Sequence, residues 1–386
     1  MLAWVPFLHI YQPPGQDPEI VRQVARESYR LILDLCERYP RFRASINISG
    51  SLLEQWEADP ECAPLIAGYR ACVERGQLRL VGSAMYHPIL ALLPEHERER
   101  QIDLHDRICR RLFGDAYQPY GFFAPEMAYD RALAELLERR GFQWIMLDEA
   151  HLGRVPDATK AYRIRGTSLY AVVRNRTISK TFPPEYIVDH LHTTLKDTPY
   201  VITAHDGELF GHWHKDDQGY YARAFESPDI RFLTVHEYLG ELTEVVEVEP
   251  EQTNWEAVTH DLARGVRFAL WSHPDNEIHR RLWQLADCAI TTLAEYPDDP
   301  GYAAARAHLD RGLASCSWWW GSDLKLDVVA NEVWSPDMVE RGVKELIASI
   351  RSLATLPGEK KIEAEKMRTD LLFALWKKHW SKEREK

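Results

Sequence analysis

The first two hundred residues alternate between two hydrophobic periodicities, and nothing else in the chain restricts its fold as tightly. Short apolar runs rich in β-branched and aromatic residues occur at 3–10, 43–49, 78–84, 121–129, 144–150, 169–175 and 200–206. Between them lie stretches whose apolar residues return at helical spacing, among them 18–39 and 95–113. The latter carries Ile102, Ile108 and Leu112 on one face and charges on the other. Strands separated by whole helices cannot close as tight hairpins, so they predict a parallel sheet with helices packed over it. Seven of them predict an α/β fold, a (β/α)7 barrel closed or nearly closed. Local punctuation agrees. Pro13-Pro14 forces an extended exit from the first strand, Asp130 is a sound N-cap for a helix at 131–140, and Gly141 ends that helix.

After about residue 230 the strand signals fade. Helical spacing takes over at 286–296, 300–313, 337–353 and 362–380, and the charged last helix is expected to fray at its tip. The chain therefore reads as a barrel domain over 1–235 and a helical domain over 236–386, packed directly on the barrel because no low-complexity linker separates them.

The formal charge of 47 − 59 = −12 disfavours a nucleic-acid or anionic-membrane partner, and suits a neutral or cationic ligand. With 13 Trp and 17 Tyr the chain has many flat aromatic faces of the kind that stack on sugar rings, although most such residues fill cores. Cys36, Cys62, Cys72, Cys109, Cys288 and Cys316 are scattered and include no CxxC pair, so neither a zinc site nor a disulfide framework is expected. No run reaches the ~18 apolar residues of a membrane span, and no signal-peptide pattern precedes the first strand. A cytoplasmic protein is expected, with no cofactor.

The polar residues that could carry chemistry cluster just past the ends of the predicted strands, where such barrels place their sites. GFFAPEMAY at 121–129 ends a strand in Glu126, behind Pro125 and among Phe122, Phe123 and Tyr129, a low-polarity setting able to move a carboxyl pKa. YVITAHDGELFGHWHKD at 200–216 ends a strand in Asp206, with His205 before it and Glu208 two residues on. Two carboxyls at nearby strand ends are the minimum apparatus for cleaving a glycosidic bond. Around them, His9, Gln12 and His87 are candidates to hydrogen-bond sugar hydroxyls. Glu208 is a candidate to orient its neighbours and Trp213 a stacking platform. At least one of Trp318, Trp319 and Trp320 is expected to face the cleft, with Asp323 as a further hydroxyl contact. The segment WSHPDN at 271–276 with His279 has metal-ligand residue types on one helix start without matching partners, so it reads as helix capping or solvated surface.

These motifs resemble glycoside hydrolase family 57, the α-glucan-active family related in fold to the family 38 α-mannosidases. HIYQPP at 9–14 resembles the family's opening motif, with Tyr11 standing where a second histidine is usual. GQLRLVGSAMYHPIL at 76–90 resembles the second motif, and CSWWWGSD at 316–323 more loosely the fifth, an aromatic segment of the helical domain that closes the site. GFFAPEMAY resembles the third, which implies that Glu126 is the nucleophile, and HDGELFGHW the fourth, which implies that Asp206 is the general acid/base. The resemblance implies retention of configuration, no metal in the chemistry, and an α-glucan or malto-oligosaccharide substrate cleaved as an α-amylase would. Retention requires the two carboxyls to lie about 5–5.5 Å apart. A 4-α-glucanotransferase or branching enzyme would use the same residues. A metal-dependent deacetylase or mannosidase on the related barrel is a different class, and would want a ligand carboxylate where Tyr11 stands. A non-catalytic glucan-binding protein is a third, and would have no need of both Glu126 and Asp206.

Overall fold

In the computed structural model, which describes residues 1–326 and 329–383, the alternation is realised as ten strands ahead of the helical region. They are β1 (Leu2–Ile10), β2 (Ala44–Ile48), β3 (Leu78–Leu80), β4 (Gly121–Phe122), β5 (Trp144–Asp148), β6 (Lys160–Ile164), β7 (Tyr170–Arg174), β8 (Tyr200–Asp206), β9 (Ile230–Phe232) and β10 (Glu244–Val248). Seven of these are the expected set. They form two sheets, one in the order β3-β2-β1-β8 and one containing β7-β5-β4, and every neighbouring pair within those orders is parallel.

The two sheets meet at two seams. At the first, Gly82 N donates to Gly121 O and Phe123 N to Gly82 O, both at 2.9 Å. A Cβ on Gly121 would lie 2.0 Å from the Trp144 ring and one on Gly82 2.6 Å from Phe142, so this close approach requires glycine. At the second seam the amide of Asn175, just past β7, donates to Ile202 O of β8 at 2.7 Å. Around the ring the order is β8-β1-β2-β3-β4-β5-β7. A nearly closed, seven-stranded parallel barrel results, two sheets joined by hydrogen bonds at strand ends rather than by ladders.

Three strands lie outside the expected set. The short β9 pairs with the start of β1, β6 runs antiparallel to β7, and β10 pairs with β6. Their residues are charged on the outward side, as in KAYRI and EVVEV, because they extend the sheet rather than line the barrel. Two of the expected strands are shorter than their apolar runs, β3 and especially β4. Pro125 has no N–H to give a ladder, and the backbone turns sharply after it.

Side chains alternate along each strand, so residues two apart share a face. Ala3, Val5 and Phe7 of β1, Trp144 and Met146 of β5, Val172 of β7, and Ile202 and Ala204 of β8 meet Val81, Phe123 and Met127 in one buried cluster. Phe7 stacks on Phe123 with ring centroids 5.3 Å apart. Each of the larger aliphatic, methionine and phenylalanine side chains in the cluster contributes about 1.5–3 kcal/mol by leaving water. Continuing the four files one step brings His9, Asp148, Arg174 and Asp206 to the C-terminal mouth. The same pleat that buries the core thus aims the polar residues at one place.

The chain divides into two compact units, 1–85 with 90–256 and 86–89 with 257–386. Residues 236–256, expected to open the helical domain, belong with the barrel instead. The reason is that β10 extends the sheet and the loop after it returns along 126–129, where Tyr129 N donates to Thr253 O at 2.9 Å. The second unit, taken by itself, is built from helices Glu277–Glu295, Tyr302–Gly312, Cys316–Trp319, Pro336–Ser352 and Gly358–Glu383, with an antiparallel pair of short strands, Lys325–Leu326 and Val329–Glu332. Asn276 caps the first of these helices, accepting from Ile278 N and His279 N. Fraying at the C-terminal tip falls outside the described residues. Among those residues no helix is long and apolar enough to cross a membrane.

Candidate active site

Glu126 stands in a single 3-10 turn, Pro125–Met127, just past β4, with φ +60°. A left-handed backbone costs a non-glycine residue about 1–2 kcal/mol, so something must hold it there. The loop ending at Trp255 does so. Trp255 N donates to Glu126 O at 3.1 Å and Trp255 Nε1 to Glu126 Oε2 at 2.8 Å. A neighbouring ring, His151, bonds Met127 O through Nε2 at 3.0 Å. Burial pushes the Glu126 carboxyl from 4.5 up to about 8, while the indole N–H favours its charged form and opposes that rise.

Asp206 is the last residue of β8 and the register partner of His9 on β1. Burial holds its carboxyl well above the usual range, reinforced by the negative charges of Glu208, Glu126 and Glu256 and opposed by Arg174. His9 is buried, its Nδ1 2.6 Å from Asn47 Oδ1 and its ring stacked on Phe123 at 4.5 Å. Burial lowers its pKa to about 4, against the Asn47 contact, so its imidazole is neutral at ordinary pH.

Glu208 lies two residues beyond Asp206 in the turn Gly207–Leu209 and forms the centre of a second network. The Tyr29 hydroxyl donates a short hydrogen bond to its Oε1, and Tyr11 N donates to the same oxygen at 3.2 Å. Gln12 Nε2 donates in turn to the Tyr29 hydroxyl at 3.3 Å. Burial raises Glu208 to about 7, and the Tyr29 bond resists. Tyr29 reaches it because the helix running from Pro18 to Arg38 passes through a π-helical turn, Ala25–Tyr29. From that turn Ser28 Oγ donates to Gly207 O at 3.0 Å, and Glu27 pairs with His212 at 2.5 Å.

A buried ion pair underlies both carboxyls. Arg174 Nε donates to Asp148 Oδ2 at 2.6 Å, and its Nη1 to Ala204 O of β8 at 2.7 Å. Its guanidinium lies 4.9 Å from the Trp255 ring centroid. Asp148, Arg174, Trp255, Tyr29 and Asn47 were not among the expected site residues. Asp148 and Arg174 end apolar strands as Asp206 does, a signal that could have found them. Trp255 and Tyr29 carry no local mark.

Of the other expected contacts, Trp213 is 61 % exposed and its amide donates to Glu208 O at 3.0 Å, a position compatible with a stacking platform. The remaining ones lie in the second unit. There His87 Nδ1 lies 3.0 Å from Ser315 Oγ. Trp318 is 1 % exposed, its ring 4.5 Å from that of Trp283, so it is a core side chain and not a ligand contact. Trp319 and Trp320 are half-buried and meet edge to face at 4.6 Å. Asp323 pairs with Lys378 at 2.8 Å and with Lys382, which occupies its carboxylate in holding the last helix rather than a hydroxyl.

Comparison with known proteins covers most of the barrel. A family model described as glycosyl hydrolase family 57 matches residues 11–256. An α-amylase from Pyrococcus horikoshii is 27 % identical over 230 residues, 56 % of this chain and 35 % of that protein. A 4-α-glucanotransferase from Thermococcus litoralis is 24 % identical over 257 residues, 61 % of this chain and 38 % of that one. The matched stretch thus spans little more than a third of the length of these curated relatives. A solved GH57-type branching enzyme from Pyrococcus horikoshii shares the fold, with a TM-score of 0.70 at 15 % identity over 95 % of this chain and 94 % of that one.

Proposed function

This chain belongs to glycosyl hydrolase family 57, and on that premise we propose that it is a retaining enzyme of α-linked glucans working through Glu126 and Asp206. The observation that carries the assignment is the asymmetry of the two carboxyls. Burial raises both and Glu256 presses on each, but an indole N–H donates to Glu126, whereas Asp206 bears the further charges of Glu208 and Glu126 and is relieved by Arg174. Of the two, Glu126 is thus the readier to ionise and Asp206 the readier to keep a proton. A double displacement needs that division of labour.

In the first step Glu126 attacks the anomeric carbon as the glycosidic C–O bond breaks, and the Asp206 proton passes to the departing oxygen. A glycosyl ester on Glu126 and an ionised Asp206 result. In the second step Asp206 takes a proton from water, whose oxygen attacks the same carbon from the face that the leaving group left, and Glu126 departs as a carboxylate. Net retention follows from the two inversions. His9 is neutral, so it can orient a hydroxyl without competing for either proton. Trp213 offers its exposed face to a sugar ring.

A sugar hydroxyl in place of water makes the same site a 4-α-glucanotransferase or branching enzyme, and relatives of both hydrolytic and transferring descriptions match this chain. Product analysis on maltoheptaose separates the readings: shorter products alone indicate hydrolysis, and longer ones as well indicate transfer. Glu126→Ala and Asp206→Ala should each abolish turnover while staying folded, and full activity in either variant would overturn the assignment. The reading places the enzyme in the cytoplasm, on the strength of six scattered cysteines with no CxxC pair.

A further inference from the structure

The double displacement requires one proton shared between two buried carboxyls to sit on Asp206 and not on Glu126. Around the pair, Glu256 on the Trp255 loop and Glu208 past β8 add negative charge, and Glu256 is itself paired with Lys180 at 3.1 Å. His9 on β1 is neutral. Arg174 on β7 is bound to Asp148 on β5. Trp255 lies between this ion pair and Glu126. On one side it is clamped to Glu126 by its backbone N–H and its indole N–H. On the other, the Arg174 guanidinium covers the face of its ring. Edge contacts with Phe123 at 5.8 Å and His9 at 6.1 Å fix the plane of the indole. A cation over an aromatic face draws π density toward itself. That leaves the N–H at the ring edge more positive and a stronger donor.

Resting on the proposed glycosidase reaction, we propose that Trp255 is a positioning residue that assigns the shared proton. Its indole N–H, strengthened by Arg174, favours the ionised form of Glu126, so that of the two carboxyls Glu126 gives up its proton first and Asp206 keeps the last one. Arg174 reaches the nucleophile at second hand, through the ring, while its bond to Ala204 O fixes it to the strand that bears the acid. The pair Arg174 and Trp255 thus links the two carboxyls.

The test is Trp255→Phe, which keeps an aromatic ring under Arg174 and deletes the N–H. In the pH profile of kcat/KM on maltoheptaose the acid limb should move up by about one pH unit, with kcat on the plateau within about threefold and KM little changed. A general loss of packing would lower kcat at every pH without moving that limb. Independently of turnover, the indole N–H resonance of Trp255, identified by its absence in the variant, should titrate in the wild type between about pH 7 and 9. The titration should vanish in Glu126→Gln and stay in place in Asp206→Asn, because Asp206 is already neutral while Glu126 titrates. An unmoved acid limb in a folded variant, or an indole signal that titrates in Glu126→Gln as in wild type, overturns the proposal. If wild type leaves maltoheptaose untouched, it is the glycosidase reading that fails, and the indole titration still decides whether Trp255 reports on Glu126. Should the phenylalanine variant not fold, the wild type and the two carboxyl variants decide it on their own.

Discussion

Glu126→Gln should make the protein more stable, and increasingly so as pH rises. The Glu126 carboxyl titrates near 4.5 when exposed and near 8 in the fold. A carboxyl whose folded pKa is raised opposes folding wherever the unfolded chain ionises it and the native state does not. The penalty is absent below about pH 4.5, grows by about 1.4 kcal/mol per pH unit, and levels off above about 8. Between pH 5 and pH 7 this amounts to about 2–3 kcal/mol. Glutamine has nearly the same shape and retains an oxygen for the Trp255 N–H, so it removes the ionisation without removing the contact. For a unit of this size 1 kcal/mol corresponds to about 2 °C. The melting temperature of the variant relative to wild type should therefore climb by about 5 °C on going from pH 5 to pH 7, followed by calorimetry with the barrel transition resolved. Turnover should fall at least a thousandfold at both pH values. A difference in melting temperature that stays constant with pH would show that Glu126 is not held in the environment described, and the nucleophile assignment would lose its physical basis.

Three further perturbations probe the surroundings. Tyr29→Phe removes a donor that opposes the rise of Glu208, so Glu208 should titrate above about 7 and press less on Asp206, and the alkaline limb of activity should move down in a pH profile, with KM for maltoheptaose little changed. Gly211→Ala should destabilise the barrel unit by at least 2 kcal/mol in denaturant melts, because φ is +93° there and a Cβ would lie 2.1 Å from Glu27 O. Trp213→Ala should leave the melting temperature within about 1 °C, since the ring is 61 % exposed, yet raise KM several-fold if it is a sugar platform.

The barrel strands were legible because a strand buried on both faces must be an unbroken apolar run, and few other structures need one. The edge strands β6, β9 and β10 were not, since their charged alternation is also what a solvated loop or short helix shows. β4 was overextended for the opposite reason. FFA continues the apolar run, but a proline and a left-handed glutamate stop the ladder after Phe122. The carboxyls could be found from their places past strand ends. Trp255 could not, because its partner is 129 positions away and no local pattern encodes that meeting. Three adjacent indoles do not announce which one the helix turns inward, and the structure shows that it is Trp318. The domain boundary was set about twenty residues early for a related reason: the segment that clamps Glu126 looks like a linker until the strand it follows is seen to extend the sheet.

The two seams of the barrel have a mechanical consequence. Glu126 and its supports, Asp148 and Arg174, ride on one sheet, while Asp206, His9 and Asn47 ride on the other. The gap between the carboxyls therefore depends on how the two sheets meet at these seams and on no single strand. A retaining mechanism tolerates only a narrow gap, so residues with no chemistry of their own gain a say in it. Gly82 and Gly121 set how closely the sheets approach at one seam, and the Asn175 amide and the Arg174 side chain tie them at the other. A change at these seams would alter the gap between the two carboxyls while leaving both of them in place.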